Sequence, residues 1–149
     1  MITNTIENRN AAFYDILDKL PKKRATILQM IEKEQPCTPQ EITGKYLYPI
    51  NEVHPRFNEL RFLGFIKIVD AKTNVRSQKK NISYAVTNKN EQINIINRNY
   101  AELTNAKDKL VSDYLNPTIS SVGKGIVLKE GKKYKSKIKQ LTEILNIIN

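Results

Sequence analysis

The fold is decided by the stretch TPQEITGKYLYPINEVHPRFNELRFLGFIKI, residues 38–68. Thr38 can cap a helix, Pro39 then occupies its first position, and Glu41 can reach back to close a capping box. Gly44 keeps that helix short, with Ile42 as its one clear inward residue, and Tyr46-Leu47-Tyr48-Pro49 reads as a connector. A second helix of this stretch begins between Asn51 and Pro55 and ends at Gly64, with Val53, Phe57 and Leu60 on one face. Proline has no N–H to give to the helix ladder, so Pro55 is expected in the first turn. After Gly64 the apolar period drops from helical to two, as Ile66 and Ile68 begin a strand with one buried face.

On the C-terminal side Ile82, Tyr84 and Val86 repeat that alternation. Between the two strands Ala71 to Asn81 is polar and carries Lys72, Arg76, Lys79 and Lys80, which predicts a basic hairpin with a long tip. On the N-terminal side Lys22 to Glu34 reads as a helix with Ala25, Leu28 and Ile31 inward and Ile27 beside them. Its first turn holds Lys22-Lys23-Arg24, placed against the positive helix N-terminus, which suits a nearby phosphate, although a solvated face is the more common role of such a run. Further upstream Phe13, Ile16, Leu17 and Leu20 mark one face of an amphipathic helix interrupted by Pro21.

A capped short helix, a connector, an amphipathic helix ending at glycine and a basic hairpin follow one another within about 50 residues. This order predicts a mainly α fold with a small β-hairpin, a winged helix-turn-helix followed by a C-terminal helical extension. The expected domains are residues 1–88 and 89–149. The run Val53-His54-Pro55-Arg56-Phe57-Asn58-Glu59-Leu60-Arg61-Phe62-Leu63-Gly64-Phe65-Ile66 resembles the recognition-helix-to-wing passage of MarR-like winged-helix proteins, closest to small versions from phages and mobile elements. The likeness covers roughly Pro36 to Val86. It implies a dimer built from helices outside the winged core and a two-fold related DNA site. The lysine-rich last segment departs from that group's pattern, so the resemblance carries no small-molecule response.

With Val53, Phe57 and Leu60 inward, the outer face of the helix presents Asn51, His54, Pro55, Asn58 and Phe62, with Glu59 and Arg61 at its edges. Asn58 and Arg61 are the candidates for base edges, because asparagine pairs with adenine and arginine with guanine. A surface ion pair is the competing role for Arg61. Arg56 is expected to pair with Glu59, its neighbour on the helix. Asn51 and His54 are the further DNA-facing candidates of that face, with a helix-start or solvent position as the competing role of His54, and Phe62 suits packing. In the hairpin Arg76 fits a narrow minor groove, while Lys72, Lys79 and Lys80 neutralise phosphates.

From Asn88 to Asn116 a long helix is expected, along which Ile93, Ile96, Tyr100, Leu103, Leu110 and Tyr114 recur at heptad-like spacing. Pro117 stops it. Thr118 to Gly131 reads as a looser segment in which Gly123-Lys124-Gly125 lacks Walker spacing and serves as a hinge. A final helix carries Tyr134, Ile138, Leu141, Leu145 and Ile148. The first seam is expected to dimerise, the alternative being an intrachain hairpin with the final helix. Lys129 to Lys139, with six lysines and one glutamate, is a second phosphate contact or a solvated face.

The 149 residues carry 25 basic and 15 acidic side chains, a formal charge of +10 that favours polyanionic partners. The excess is uneven. Met1 to Gly64 has nine basic and eight acidic residues, whereas Phe65 to Asn90 has six and one. One cysteine, Cys37, and one histidine, His54, leave little for a metal centre or a nucleophile–base pair, so no catalytic residue, metal or cofactor is expected. No run approaches the ~20 apolar residues of a membrane span, and the polar start lacks a signal-peptide core. The expectation is a non-enzymatic, sequence-specific binder of double-stranded DNA, a transcriptional regulator in the cytoplasm of a bacterial or phage-infected cell. Two other readings remain open: a protein-docking module of a phage replication or virion assembly, and a non-specific DNA-binding or replication-initiation protein.

Overall fold

The computed structural model describes residue 17 and residues 19–73 and 80–148. In chain order its elements are α1 (Lys22–Glu34), α2 (Pro39–Tyr46), α3 (Ile50–Phe62), β1 (Ile66–Thr73), β2 (Lys80–Val86), α4 (Lys89–Tyr114) and α5 (Ser121–Ile148). The chain is thus mainly helical with one two-stranded antiparallel hairpin. It divides into two compact units, Met1–Gln92 and Ile93–Asn149. Most of the amphipathic helix expected before Pro21 lies outside the described residues, although Leu17 and Leu20 are buried. No helix among the described residues is long and apolar enough to cross a membrane.

The core of the first unit is built from the faces that the periodicity marks. Ile27, Leu28 and Ile31 of α1, Ile42 of α2, and Val53, Phe57 and Leu60 of α3 are all buried. The Phe57 ring meets Tyr84 of β2 edge-on at 5.2 Å, which ties the hairpin to the middle of α3. Each such fully buried side chain contributes roughly 1.5–3 kcal/mol. Cys37, between α1 and α2, makes an isolated antiparallel bridge with Tyr84, with N···O distances of 3.0 and 2.8 Å. A third extended segment therefore lines the hairpin on its β2 side.

Local chemistry explains the helix boundaries. Thr38 Oγ1 accepts the Glu41 N–H at 3.1 Å, and Pro39 stands at the start of α2. The other end of α2 is held from α1, because Glu34 accepts from Tyr46 Oη at 3.1 Å and pairs with Lys45 at 2.6 Å. The chain then reverses through Leu47 at φ 57°, left-handed backbone that a leucine adopts only under local strain. Gly64, at φ 80°, makes the second reversal, after α3, at no such cost.

The structure corrects three readings of the sequence. Helix α3 starts at Ile50, behind Pro49, so Pro55 falls in the second turn and not the first. The cost is contained because Pro55 is exposed, and water can take the carbonyl its missing N–H leaves free. The hairpin strands reach Thr73 and Lys80, well into the segment read as a polar loop, with Thr73 opposite Lys80. Backbone pairing holds there without an apolar pattern, and a register shift between Ile68 and Asp70 leaves Ile68 40% exposed. Finally, Gly123-Lys124-Gly125 is helical. Ser120 Oγ accepts the Gly123 N–H at 3.0 Å and opens α5 there, so the looser segment is only the short connection after α4. Within it Asn116 Oδ1 accepts from Thr118 N and Thr118 Oγ1, forming the turn behind Pro117.

Candidate nucleic-acid interface

Helix α3 is two-sided. Val53, Phe57 and Leu60 are fully buried, while Asn51, His54, Pro55, Asn58 and Arg61 are exposed along the other side. The burial of three residues at 53, 57 and 60 fixes the helix rotation, so the polar side faces outward by consequence. Asn58 Nδ2 and His54 Nδ1 stand 3.5 Å apart, too long to lock either side chain. Arg61 makes no ion pair among the described residues. Phe62 is half-buried.

Beside that face lies an electrostatic clamp. Glu59 receives Arg24 Nε of α1 at 2.8 Å and Arg56 of its own helix at 2.9 Å. The Arg56–Glu59 pair is the one expected from the spacing. Arg24, read with its two lysine neighbours as a solvated face or a phosphate contact, is instead turned to the carboxylate. Lys22 and Lys23 remain exposed. Arg56 Nε is buried without a hydrogen-bond partner, so the Glu59 carboxylate carries most of that guanidinium's compensation.

The hairpin follows α3 after a single tight turn, with Phe65 N–H donating to Leu60 O at 2.9 Å. Its base is anchored from below. Val86 N–H donates to Gln35 Oε1 at 2.8 Å, and Thr87 N–H to Phe65 O at 3.0 Å. Helix α4 opens with a reciprocal cap: Glu91 N–H donates to Asn88 Oδ1 at 2.8 Å and Asn88 N–H to Glu91 Oε1 at 3.2 Å. Lys67 of β1 pairs with the same Glu91, and Lys67 together with the Asn88 backbone holds its carboxyl below the usual carboxylate range. The Asn88-x-x-Glu91 spacing is a capping-box signal that reading by apolar period alone passes over. Buried Gln92 completes the anchor, its Nε2 donating to Leu63 O at 3.3 Å. Lys72 and Lys80 lie on the two strands, whereas Arg76 and Lys79, expected at the tip, fall outside the described residues.

Cys37 is fully buried and contributes no accessible nucleophile. Burial, aided by the charges of Glu41 and Glu34, pushes its thiol up to about 12, so it stays protonated at neutral pH.

In the second unit the expected seam is covered unevenly. Ile96 is buried, Ile93, Leu103 and Leu110 are half-buried, and Tyr100 and Tyr114 are exposed. Helices α4 and α5 meet near their connection, where Lys124 Nζ stands 5.5 Å from the centre of the Tyr114 ring. On α5 the buried residues are Leu141, Ile144 and Ile148, while Tyr134, Ile138 and Leu145 are half-buried. Comparison with protein-family models and with curated proteins finds no match to this chain.

Proposed function

We propose that the chain is a winged helix-turn-helix protein that binds double-stranded DNA in a sequence-specific way and regulates transcription. In this reading α2 and α3 form the helix-turn-helix, α3 enters the major groove, and the β1–β2 hairpin is the wing. The observation that carries it is the outer side of α3, where Asn51, His54, Asn58 and Arg61 are exposed and free of strong internal ties while the opposite side is fully buried. An α-helix with such a face matches the width of the major groove, and asparagine and arginine are the side chains that read adenine and guanine there. A hairpin rich in lysine, joined to α3 by one turn, supplies charge to the flanking backbone. Two-fold assembly through the α4 seam would present two such helices to one site. The exposure of Tyr100 and Tyr114 on that seam supports the assembly.

Selection of bound sequences from a random duplex library tests both parts of the proposal. Enrichment of a compact motif with a two-fold repeat supports the regulator. Binding without enrichment identifies a sequence-independent DNA binder, and absence of binding overturns both DNA-binding readings.

A further inference from the structure

Between Lys124 and Lys139, helix α5 carries seven lysines and one acid. Lys124, Lys129, Lys132, Lys133, Lys135, Lys137 and Lys139 are all exposed. The acid, Glu130, is tied back to Lys133 at 3.3 Å. Lys129, Lys132, Lys135 and Lys139 have no acidic partner among the described residues. Lys132, Lys135 and Lys139 follow at i, i+3 and i+7 and so share one side of the helix. Lys129 to Lys139 spans roughly 15 Å at 1.5 Å per residue. This is a continuous positive rail.

The rail works against the helix that carries it. Lys129 and Lys133, Lys133 and Lys137, and Lys135 and Lys139 are like charges one turn apart, a spacing that destabilises isolated helices. Helix α5 also has no acidic residue in its first turn, where one would favour the dipole. A row of external negative charge along Lys129–Lys139 relieves the like-charge repulsion. Over that length duplex DNA presents one phosphate per ~1.7 Å of axis, counting both strands. Lysine suits such a target because it acts as a mobile point charge that needs no fixed geometry. An anionic membrane is the less suitable polyanion. Surface helices that bind lipid set large apolar side chains beside their lysines, yet the exposed ones of α5 are Val122, Ile126 and Leu128, all before the rail's densest part.

We propose that the lysine face of α5 is a second contact for nucleic acid, one that grips the phosphate backbone without reading sequence. The proposal stands on α5 alone and does not require α3 to read bases. It is tested on the full chain with K132A/K135A/K139A, using fluorescence anisotropy of a labelled 20-bp random-sequence duplex across a range of salt concentrations. Alanine is the stronger helix former, so the helix should persist, and circular dichroism verifies it. The expected result is a log–log salt slope shallower by about 2 to 3, at ~0.9 for each phosphate no longer neutralised, with K132R/K135R/K139R retaining the wild-type slope. Asn58→Ala, an uncharged change on α3, keeps the wild-type salt slope whether or not α3 reads bases, so the two proposals fail separately. The inference is overturned if the alanine triple variant leaves the slope unchanged, or if the wild type does not bind random duplex. It is also overturned if the triple variant releases the protein from phosphatidylserine vesicles while its duplex slope stays that of the wild type, which would make the rail a lipid contact.

Discussion

Arg24 Nε lies 2.8 Å from Glu59 Oε2, joining the first turn of α1 to the middle of α3. Because Glu59 also holds Arg56, its loss would leave two partly buried guanidiniums facing each other. Glu59→Ala is therefore expected to destabilise the first unit by about 1–2 kcal/mol, more than Arg24→Ala, which leaves the Arg56–Glu59 pair intact. Urea denaturation of the three proteins checks the order. Equal losses would mean that Glu59 acts only through Arg24.

Leu47 stands at φ 57° and is 88% exposed, so its side chain gains almost nothing from burial while its backbone sits in a region that disfavours a Cβ. Glycine removes that conflict but makes the unfolded chain more flexible. Left-handed backbone costs a non-glycine residue roughly 1–2 kcal/mol, which exceeds the added entropy, so Leu47→Gly should stabilise by about 0.5–1 kcal/mol. A lowered denaturation midpoint would show that the added freedom of the unfolded chain outweighs the relieved backbone strain.

The carboxyl of Glu91 is held below its usual range by Lys67 and by the Asn88 backbone. A carboxylate whose folded pKa is depressed stabilises the fold above its unfolded pKa, and that contribution disappears as pH falls through the folded value. Thermal unfolding should thus show stability lost on acidification below the ordinary carboxylate range. Glu91→Gln should be less stable at neutral pH and lose less on acidification. Parallel pH profiles for the two proteins would remove Glu91 from the balance.

Base reading by α3 has its own signature. If Asn58 and Arg61 contact base edges, alanine at either costs roughly 1–3 kcal/mol on the selected site and little on random duplex. Equal losses on both would assign them to the backbone. Alanine at Lys72 and Lys80, on the wing strands, should instead weaken all duplexes alike.

The elements whose apolar faces are buried are those that the sequence makes legible. The spacing of Val53, Phe57 and Leu60 fixes α3 and its outward residues, and Thr38-Pro39 marks the start of α2. Where backbone or polar chemistry decides, the apolar period is silent. The outer hairpin is held by ladder bonds with no apolar alternation, and α5 begins at a Ser120 cap that its glycines obscure. Arg24 likewise reads as outward by charge alone, because its partner lies 35 residues away and only the packing of α1 on α3 brings them together. Asn51, His54, Asn58 and Arg61, expected on the outer face from the spacing of Val53, Phe57 and Leu60, share one exposed side.

The α4 seam yields the last prediction. Its residues recur at heptad-like spacing, yet Tyr100 is 43% exposed and Tyr114 36%. Val111 and Leu115, nearby along the chain, are 52% and 72% exposed. A single chain leaves this much apolar surface in water only at a cost of roughly 25 cal/mol per Å². A second copy meeting it across a two-fold axis would remove that surface from water. Light scattering at micromolar concentration should therefore give about twice the 17.2 kDa chain mass. Tyr100→Glu, at an exposed position that the fold of one chain does not need, should return the chain mass and weaken binding to a two-fold site, with Leu103→Glu acting in the same direction. Random-duplex affinity per chain should change far less. A wild type that stays monomeric at high concentration while binding a single compact site tightly would mean that each chain reads DNA alone and that the seam serves another partner.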